Sequence, residues 1–318
     1  MAIKSSGSPL AITEIVDEFG GSTPHSLSEY YRDGGSVPGN NTSVSTSGTI
    51  SMNMFYGCVN EIGHVHNTTA TDQNYATVFG SNWASAVPKR ITIASGVTIG
   101  GTGTNNAMTI PSGMGGTLII DNAGTIEGHG GAAETIGGTS IHISSAGVTI
   151  NNTGVIRAGG GGGGNGGAGG HGGQGQNNNC VGFTPHNACH GNNTLTNHPL
   201  CLCVPQTLTG GAGGAGGAGG VGQGYNQAAT SGSAGGGSNA GQGAFSGAGG
   251  AGGAGGNGGA YGTAGSSGSG GNAGGNGNQS NGDAGSSGGA GGAAGYYVFK
   301  NGVTATLNNT GTLTGQIN

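Results

Sequence analysis

The chain has very few charged side chains. Charged residues make up 5% of its 318 residues, with six Lys and Arg against eleven Asp and Glu and a formal net charge of −5. The six cations are scattered along the sequence, at Lys4, Arg32, Lys89, Arg90, Arg157 and Lys300. Proteins that bind nucleic acid present clustered cations to the phosphates, so the sequence argues against a nucleic-acid partner.

Long apolar runs are missing as well. No run of about 18 apolar residues occurs, which is the length expected of a membrane-spanning helix. The N-terminal sequence MAIKSSGSPLAITEIVDEF carries acidic residues where a secretion signal needs an apolar stretch. We therefore expect neither a membrane span nor a secretion signal. The protein is then expected to be synthesised in the cytoplasm.

Apolar residues are confined to part of the sequence. Nearly all Ile, Leu, Val and Met lie in 1–157 and 296–318, whereas 158–295 consist mostly of Gly, Ala, Ser and Asn, apart from a richer stretch at 177–208. The chain holds 83 Gly among 318 residues, far above the usual share of about 7%. A conventional hydrophobic core can therefore form only in the first half together with the C-terminal tail.

A ten-residue motif occurs three times, at 119–128, 149–158 and 306–315. Each copy is a short β-branched run, an Asn-x-Gly turn and a second short run, as in TINNTGVIRA. Asn and Gly tolerate the positive φ angles of tight turns, and the flanking runs are typical of strands. The pattern predicts a mostly β N-terminal half, either a β-solenoid or a β-sandwich. Because the third copy follows the Gly-rich region, we expect 296–318 to return to the β-rich domain at 61–157.

Residues 1–60 are predicted to form an N-terminal attachment region, which contains what little α-helix we expect. The segment ITEIVDE at 12–18 is predicted to be one short helix. Ser26 and Glu29 have the spacing of a capping box, which predicts a second. These small elements are suited to docking onto a neighbouring protein.

Between the second and third copies of the motif the sequence changes to a period of three. Runs of Gly-Gly-x triplets predict left-handed helices of the polyproline II type, with three residues per turn. Collagen would need Pro in the triplets, and none of the eight Pro lies in one. A flexible Gly/Ser linker is the alternative, but the regular period and the return of the chain argue against it.

A lone polyglycine helix is unstable because its backbone groups bond only to water and Gly loses the most entropy on ordering. Helices packed side by side can exchange N–H···O=C bonds, since two positions in three lack a side chain. We therefore predict a bundle of polyglycine type II helices over 158–295. The predicted helices are 158–176, 208–224, 232–243, 246–260, 264–277 and 284–295, which leaves the inserted loop 177–207 and the short connections 244–245 and 278–283 at the tips.

Several stretches resemble tail-fibre proteins of bacteriophages. They are SGSPLAITEIVDEFGGSTPHSLSEYYRDGGSVP near the N-terminus, then TDQNYATVFGSNWASAVPKRITIASGVTIG and GTLIIDNAGTIEGHGG. The Gly-rich half is similar to the tip adhesins of T-even-like phages, in which polyglycine helices are sandwiched together and variable loops at their ends meet the receptor. The sequence departs from those adhesins in its long insertion at 177–207.

The resemblance implies a non-enzymatic virion protein of the tail fibre or tail tip, made in the host cytoplasm, that binds the host surface. The partners it implies are other phage tail proteins and a host outer-membrane protein or surface glycan, and it allows a homotrimer. A purely structural tail component, with the bundle as a rigid spacer, is the alternative. Recognition surfaces are rich in aromatic residues. The aromatic residues of the Gly-rich half lie at the ends of triplet runs, which favours the adhesin over the structural spacer.

The candidate receptor-binding residues lie in the three predicted tip connections. They are Phe183, His186, His190 and His198 in the insertion, Phe245 in the second connection, and Asn278 and Asp283 in the third. A loop of about thirty residues in a tight scaffold is usually either functional or disordered. The cysteines of the insertion argue for order.

Those cysteines, Cys180, Cys189, Cys201 and Cys203, are candidates for disulfides that hold a loop without a core. Four cysteines allow three pairings, and the sequence does not choose among them. Together with His190 they are also a candidate zinc site, although Cys-x-Cys is a poor substitute for the usual Cys-x2-Cys spacing. Free thiols are the third alternative. Cys58 is expected to be a small buried hydrophobe.

No catalytic or cofactor site is predicted. Polysaccharide-cleaving tailspikes use paired carboxylates, but the β repeats hold only Asp121 and Glu127. Neither a nucleophile elbow nor the Lys and Ser/Thr of a phosphate loop accompanies the Gly runs. His64 and His66 fall on one side of a predicted strand and would present six imidazoles to an axial metal in a homotrimer. An ordinary exposed strand face is the alternative.

Overall fold

The structure is a computed structural model that describes residues 3–39, 41–182 and 201–318, with the backbone alone for 178–182 and 201–204. It divides into two compact units. Unit 1 comprises the described residues up to His129 together with Thr139–Ala158 and Tyr296–Asn318, and unit 2 comprises Gly130–Gly138 and Gly159–Gly295. Gly130–Gly138 therefore groups with the Gly-rich part, although it falls inside the predicted β-rich domain.

The N-terminal part of unit 1 forms a small core of its own. Helix α1 spans Ile12–Phe19, and two 3-10 helices span Leu27–Tyr30 and Met52–Phe55. The second of the predicted helices begins at the expected capping box of Ser26 and Glu29. The buried side chains of this core are Ile3, Ile15, Phe19, Tyr30, Val37, Val44, Phe55 and Cys58. Both short helices and the burial of Cys58 are confirmed. No helix of the described residues is long and apolar enough to cross a membrane.

The described residues after this core contain seventeen short strands. They are β1 (Ile62–His66), β2 (Ala70–Thr71), β3 (Gln73–Asn74), β4 (Lys89–Ile93), β5 (Thr98–Gly100), β6 (Met108–Ile110), β7 (Leu118–Asn122), β8 (Thr125–Glu127), β9 (Ile141–Ile143), β10 (Val148–Asn152), β11 (Val155–Arg157), β12 (Gly175–Gly182), β13 (Cys201–Leu208), β14 (Tyr296–Phe299), β15 (Ala305–Asn309), β16 (Thr312–Thr314) and β17 (Gln316–Ile317). A short helix α2 (Tyr75–Phe79) and a 3-10 helix (Gly80–Asn82) follow β3. Strands β12 and β13 belong to unit 2.

The other strands form three five-stranded parallel sheets in unit 1. Their strand orders are β1-β4-β7-β10-β15, β2-β5-β8-β11-β16 and β3-β6-β9-β14-β17, so each round of the chain adds one strand to each sheet. The fourth round is interrupted, because β11 ends at Arg157 and its third strand, β14, begins only at Tyr296. A β-sandwich is built from antiparallel strands, and that alternative does not fit these sheets.

The ten-residue motif is the unit that stacks from one round to the next. Its two runs belong to different sheets, and Ile120 pairs in register with Ile150, which pairs with Leu307. The Asn122 side chain donates to Asn152 Oδ1 (2.7 Å), and Asn152 donates to Asn309 Oδ1 (2.6 Å). These amide ladders satisfy polar groups that are buried beside the apolar ladder.

The motif glycines serve close stacking rather than the positive φ angles that the sequence suggested. None of Gly124, Gly154 and Gly311 has a positive φ. A Cβ on Gly154 would meet the carbonyl oxygen of Gly124, and one on Gly311 would meet that of Gly154. The expectation of positive φ angles at these glycines was therefore wrong. A side chain is excluded there because each corner of the chain lies against the corner of the preceding round, not because of the backbone conformation of the turn.

The described residues of unit 2 form six Gly-rich segments joined laterally by backbone hydrogen bonds. We call them g1 (159–174), g2 (209–224), g3 (230–242), g4 (247–260), g5 (263–277) and g6 (280–295). Along each contact between two segments the donors recur at every third residue. For example, Gly250, Gly253 and Gly256 of g4 donate to Gly170, Gly167 and Gly164 of g1.

The bonding pattern arranges the segments in two rows of three. One row is g3, g4 and g5, and the other is g2, g1 and g6. Within each row neighbours are bonded, and across the rows g2 bonds to g3 and g4, g1 to g4 and g5, and g6 to g5. The short stretch Gly130–Gly138 bonds to g1, g2 and g6. The N–H and C=O groups of these segments are not paired within an α-helix or a β-sheet. They are hydrogen-bonded between neighbouring segments instead, as buried polar groups require.

We expect Gly252→Ala to destabilise unit 2, since its Cβ would press on the carbonyl oxygen of Ala215 in g2. Overpacking of this kind costs about 1–3 kcal/mol of unfolding free energy. The matched control is Gly237→Ala in g3, where a Cβ would meet no heavy atom within 4 Å. Thermal unfolding and amide exchange across g4 measure the difference. Equal tolerance of the two variants would contradict lateral backbone packing.

Candidate functional site

The chain connections of unit 2 lie at two ends. Segments g1, g3 and g5 run in one direction and g2, g4 and g6 in the other. One end therefore holds the chain entry at 159, the exit at 295 and the connections 225–229 and 261–262. The opposite end, which we call the hairpin end, holds β12 and β13 together with the connections 243–246 and 278–279.

Strands β12 and β13 form an antiparallel pair that continues from g1 and leads into g2. The register runs from Gly175 opposite Leu208 to Gly182 opposite Cys201, with Cys180 opposite Cys203. The predicted loop 177–207 is thus a hairpin at its base. Phe183, His186, Cys189, His190 and His198 lie outside the described residues, and for Cys180, Cys201 and Cys203 the structure gives the backbone alone.

The connections at the hairpin end are tied to one another by amide side chains. Asn278 accepts from the Gln176 backbone N–H through Oδ1 (2.7 Å) and donates to the Gln176 carbonyl through Nδ2 (3.1 Å). The Asn278 backbone N–H donates to the Phe245 carbonyl (3.0 Å). On the other side of the hairpin, Gln242 Oε1 accepts from the Thr209 N–H (3.4 Å). The arrangement holds the foot of the hairpin and both short connections in one framework.

Beside the hairpin foot lies a polar depression of about 470 Å³, which we call the g1 groove. It is lined by His171, Gly172, Gln174, Thr209, Gly210, Ser280, Asn281 and Asp283. Ser280 Oγ accepts from the Gln174 backbone N–H (2.8 Å). Among the described residues no hydrogen bond joins the side chains of His171, Ser280 and Asp283.

The predicted receptor residues divide into three groups. Phe245 is 47% exposed at the hairpin end, and Asp283 is exposed in the g1 groove. Asn278 ties the backbone of the hairpin. The other four lie outside the described residues. Sequence reasoning missed His171, Gln174, Thr209, Ser280 and Asn281. A signal was available for His171 and Gln174, which stand at triplet positions where Ala is usual.

A second depression, of about 370 Å³, lies on the first sheet of unit 1 and is lined by residues of 117–119, 147–149 and 304–306. It has no titratable side chain, and Asp283 is the one carboxylate that lines either depression. Paired carboxylates for glycoside cleavage are therefore missing from both of these described surfaces.

The ring of His66 in β1 faces Tyr75 rather than solvent. His66 is 6% exposed, and its Nε2 is hydrogen-bonded to the hydroxyl of Tyr75 at 2.8 Å. Burial, with a smaller contribution from His64, lowers the pKa of His66 to about 4. The expectation of an exposed strand face was wrong at His66, because α2 packs Tyr75 against it. Within the described part of the chain no three His, Cys, Asp or Glu cluster as metal ligands.

We expect Asn278→Ala to loosen the foot of the hairpin. The variant loses both hydrogen bonds to the Gln176 backbone, and a net loss of about 1 kcal/mol would speed amide exchange at Gln176 by roughly fivefold. Asn272→Ala is the matched control, since Asn272 is exposed on g5 and makes no side-chain hydrogen bond to the described residues. If both variants exchange alike at Gln176, the tie is not needed.

Comparison with known proteins identifies the chain's relatives. The chain matches no curated protein. Among solved structures it is similar to the gp37–gp38 adhesin tip complex of the bacteriophage S16 long tail fiber, with 20% identity over 100% of both chains and a TM-score of 0.39. The family described as Phage tail fibre adhesin Gp38 matches residues 59–236, more than half of the sequence. This match confirms the resemblance to phage tail-fibre proteins, and the chain belongs to the Gp38 family of phage tail fibre adhesins.

Proposed function

We propose that the protein is the receptor-binding component at the tip of a phage tail fibre, and that it contacts the host surface through the hairpin end of unit 2. The observation that carries the proposal is the framework of Gln176, Asn278, Phe245, Thr209 and Gln242, which gathers three chain connections at one end of a hydrogen-bonded array. A rigid scaffold that presents loops is the usual arrangement for a binding surface.

In this proposal unit 1 is a parallel β-solenoid of five rounds, and unit 2 is a bundle of polyglycine type II helices. Support for the solenoid comes from three parallel sheets that each gain one strand per round. Support for the helices comes from donors at every third residue, the period of a polyproline II helix. The lateral bonds of the bundle join backbone groups, so its connections are free to vary apart from the amides that hold the hairpin foot.

At the hairpin end we assign contact roles to Phe245 and Asp283, which are exposed, and a positioning role to Asn278. Phe183, His186, His190 and His198 keep their proposed contact roles on sequence grounds. The host partner is an outer-membrane protein or a surface glycan. Membership of a family of adhesins supports binding without catalysis.

The remaining partners are other phage tail proteins. The N-terminal core of residues 3–58 is suited to docking, and β15, β16 and β17 each end a sheet, which leaves backbone groups available for pairing with another chain. A homotrimer is the assembly we propose for symmetric attachment to a fibre. The protein is then a part of the virion, made in the host cytoplasm.

A structural spacer without receptor contact is the competing proposal. It explains the hydrogen-bonded rows of unit 2 equally well. It does not explain why polar side chains and an exposed Phe245 collect at the hairpin end, whereas g3 and g5 expose mainly Gly, Ala and Ser along their length. The two proposals differ in what happens when the hairpin is removed.

Among the three cysteine pairings we propose Cys180 with Cys203 and Cys189 with Cys201. Cys180 lies directly opposite Cys203 in the antiparallel register. Opposed residues have Cα atoms about 4.5–5.5 Å apart, which falls within the range of about 4.4–6.8 Å for disulfides. The second bond follows because two cysteines remain. Oxidation would take place after lysis exposes the virion to oxygen.

Thiol labelling tests this pairing. Virion protein denatured without reductant in the presence of iodoacetamide should be alkylated at Cys58 alone, and peptide mapping should recover 180 linked to 203. Labelling of all five cysteines would mean free thiols. Labelling of the four only after a chelator is added would mean zinc.

Adsorption tests the function. Replacing 177–207 by a Gly-Gly-Ala linker should preserve unit 2, because Gln176 lies opposite Thr207 in the register and the cut ends are adjacent. Virions carrying this variant should assemble but not adsorb to susceptible cells. The control replaces 226–229, at the opposite end, by Gly-Gly-Ala-Gly and should adsorb normally. Normal adsorption without the hairpin would favour the spacer.

A further inference from the structure

Polar side chains at the hairpin end of unit 2 fall into two sets. Those of Gln176, Gln242, Asn278, Gln279 and Ser280 are all engaged in hydrogen bonds that build the framework. The other polar side chains that line the g1 groove, at His171, Gln174, Thr209, Asn281 and Asp283, have no side-chain hydrogen bond to any described residue. The second set is therefore unnecessary for the framework and available to a ligand.

The unengaged set combines donors with acceptors on a small surface. Gln174 and Asn281 each carry an amide that donates and accepts, Thr209 carries a hydroxyl, and Asp283 carries two acceptor oxygens. The hydroxyl groups of a sugar also donate and accept, and neighbouring hydroxyls match a carboxylate or an amide in pairs. The depression of about 470 Å³ falls within the range of about 300–1,000 Å³ for ligand sites.

The charge of unit 2 selects among sugars. Neither 130–138 nor 159–295 contains a Lys or an Arg, so no permanent cation is available to a phosphate or carboxylate. Asp283 in the groove would repel such a group. Anion sites in proteins use Arg, Lys or helix N-termini, and unit 2 has no α-helix among its described residues.

We propose that the g1 groove binds an uncharged sugar residue, a hexose or an N-acetylhexosamine, of a host-surface polysaccharide. The proposal rests on the proposed function and names the ligand chemistry of its binding end. Asn281 and Asp283 bind vicinal hydroxyls, and His171 and Gln174 supply further donors from g1. The net gain from a few exposed hydrogen bonds is small, so a single site has a dissociation constant on the order of 1 mM, and the several fibres of a virion raise the effective affinity.

The test uses the full-length protein in saturation-transfer NMR. The neutral probes are methyl α-glucoside, methyl α-galactoside, methyl α-mannoside and N-acetylglucosamine, together with the delipidated envelope polysaccharide of a susceptible host. The anionic probes are glucose 1-phosphate and N-acetylneuraminic acid. The variants are Asn281→Ala and Asp283→Asn, and the control is Asn272→Ala, another exposed Asn without a side-chain hydrogen bond to the described residues.

We expect saturation transfer to the host polysaccharide and to at least one neutral sugar, and weaker transfer to the anionic probes. Asn281→Ala and Asp283→Asn should weaken binding by about fivefold or more, whereas Asn272→Ala should not change it. No transfer to any neutral probe, equal transfer to anions, or equal loss in the control overturns the proposal.

The outcome is distinct from that of the adsorption test. If virions without the hairpin fail to adsorb while no neutral sugar binds, the receptor is not a neutral sugar and only the sugar proposal fails. If sugars bind while those virions adsorb normally, the groove is a sugar site and the proposed receptor role of the hairpin fails.

Discussion

Unit 2 depends on one constraint: neighbouring backbones must approach closely enough to exchange hydrogen bonds, and a Cβ at the contact prevents this. Gly250 illustrates it, since its N–H donates to Gly170 of g1 while its carbonyl accepts from Gly214 of g2. A Cβ there would meet the carbonyl oxygen of Asn272 in g5. Both glycines of a triplet are therefore needed at an inner contact, and only the third position is free for a side chain. Because the bonds replace a hydrophobic core, the segments can be almost free of apolar residues.

In unit 1 the chain is also held together by lateral hydrogen bonds, which here join successive rounds, and the repeat is longer. Asn122 and Asn152 are thirty residues apart and lie on successive rounds, while Asn152 and Asn309 are separated by 157 residues yet make the equivalent contact. The ladder therefore continues across the whole Gly-rich excursion. Gly124, Gly154 and Gly311 show that close approach matters here too, since each corner rests on the one before it. In unit 1 apolar ladders fill the space between the sheets, whereas the Gly-rich segments of unit 2 pack without an apolar core.

The sequence allowed the triplet segments and the stacking motif to be predicted, because both are strict repeats with a direct geometric meaning. It did not allow us to predict the position of Gly130–Gly138, which lies inside a β-rich stretch of the sequence but is hydrogen-bonded to g1, g2 and g6. Lys89 was also beyond reach. Lys89 is buried, and Leu118 is its register partner in the next strand. The ammonium group of Lys89 donates to the carbonyls of Ser85, Val87 and Gly115 (2.9–3.0 Å). Such sites depend on contacts between rounds rather than on local pattern.

The candidate site followed from the sequence only in outline. Exposed positions in the connections were predictable, since a regular scaffold leaves irregular residues at its ends. The division between Asn278, which ties the hairpin, and Asp283, which lines the groove, was not, because both are polar residues of the predicted connection 278–283. It is decided by which backbone group faces each side chain. Variation at the groove positions without hydrogen bonds then leaves the framework intact, whereas variation at Asn278 does not. A binding surface built this way can change its ligand without changing its fold, provided that the amides holding the hairpin foot are kept.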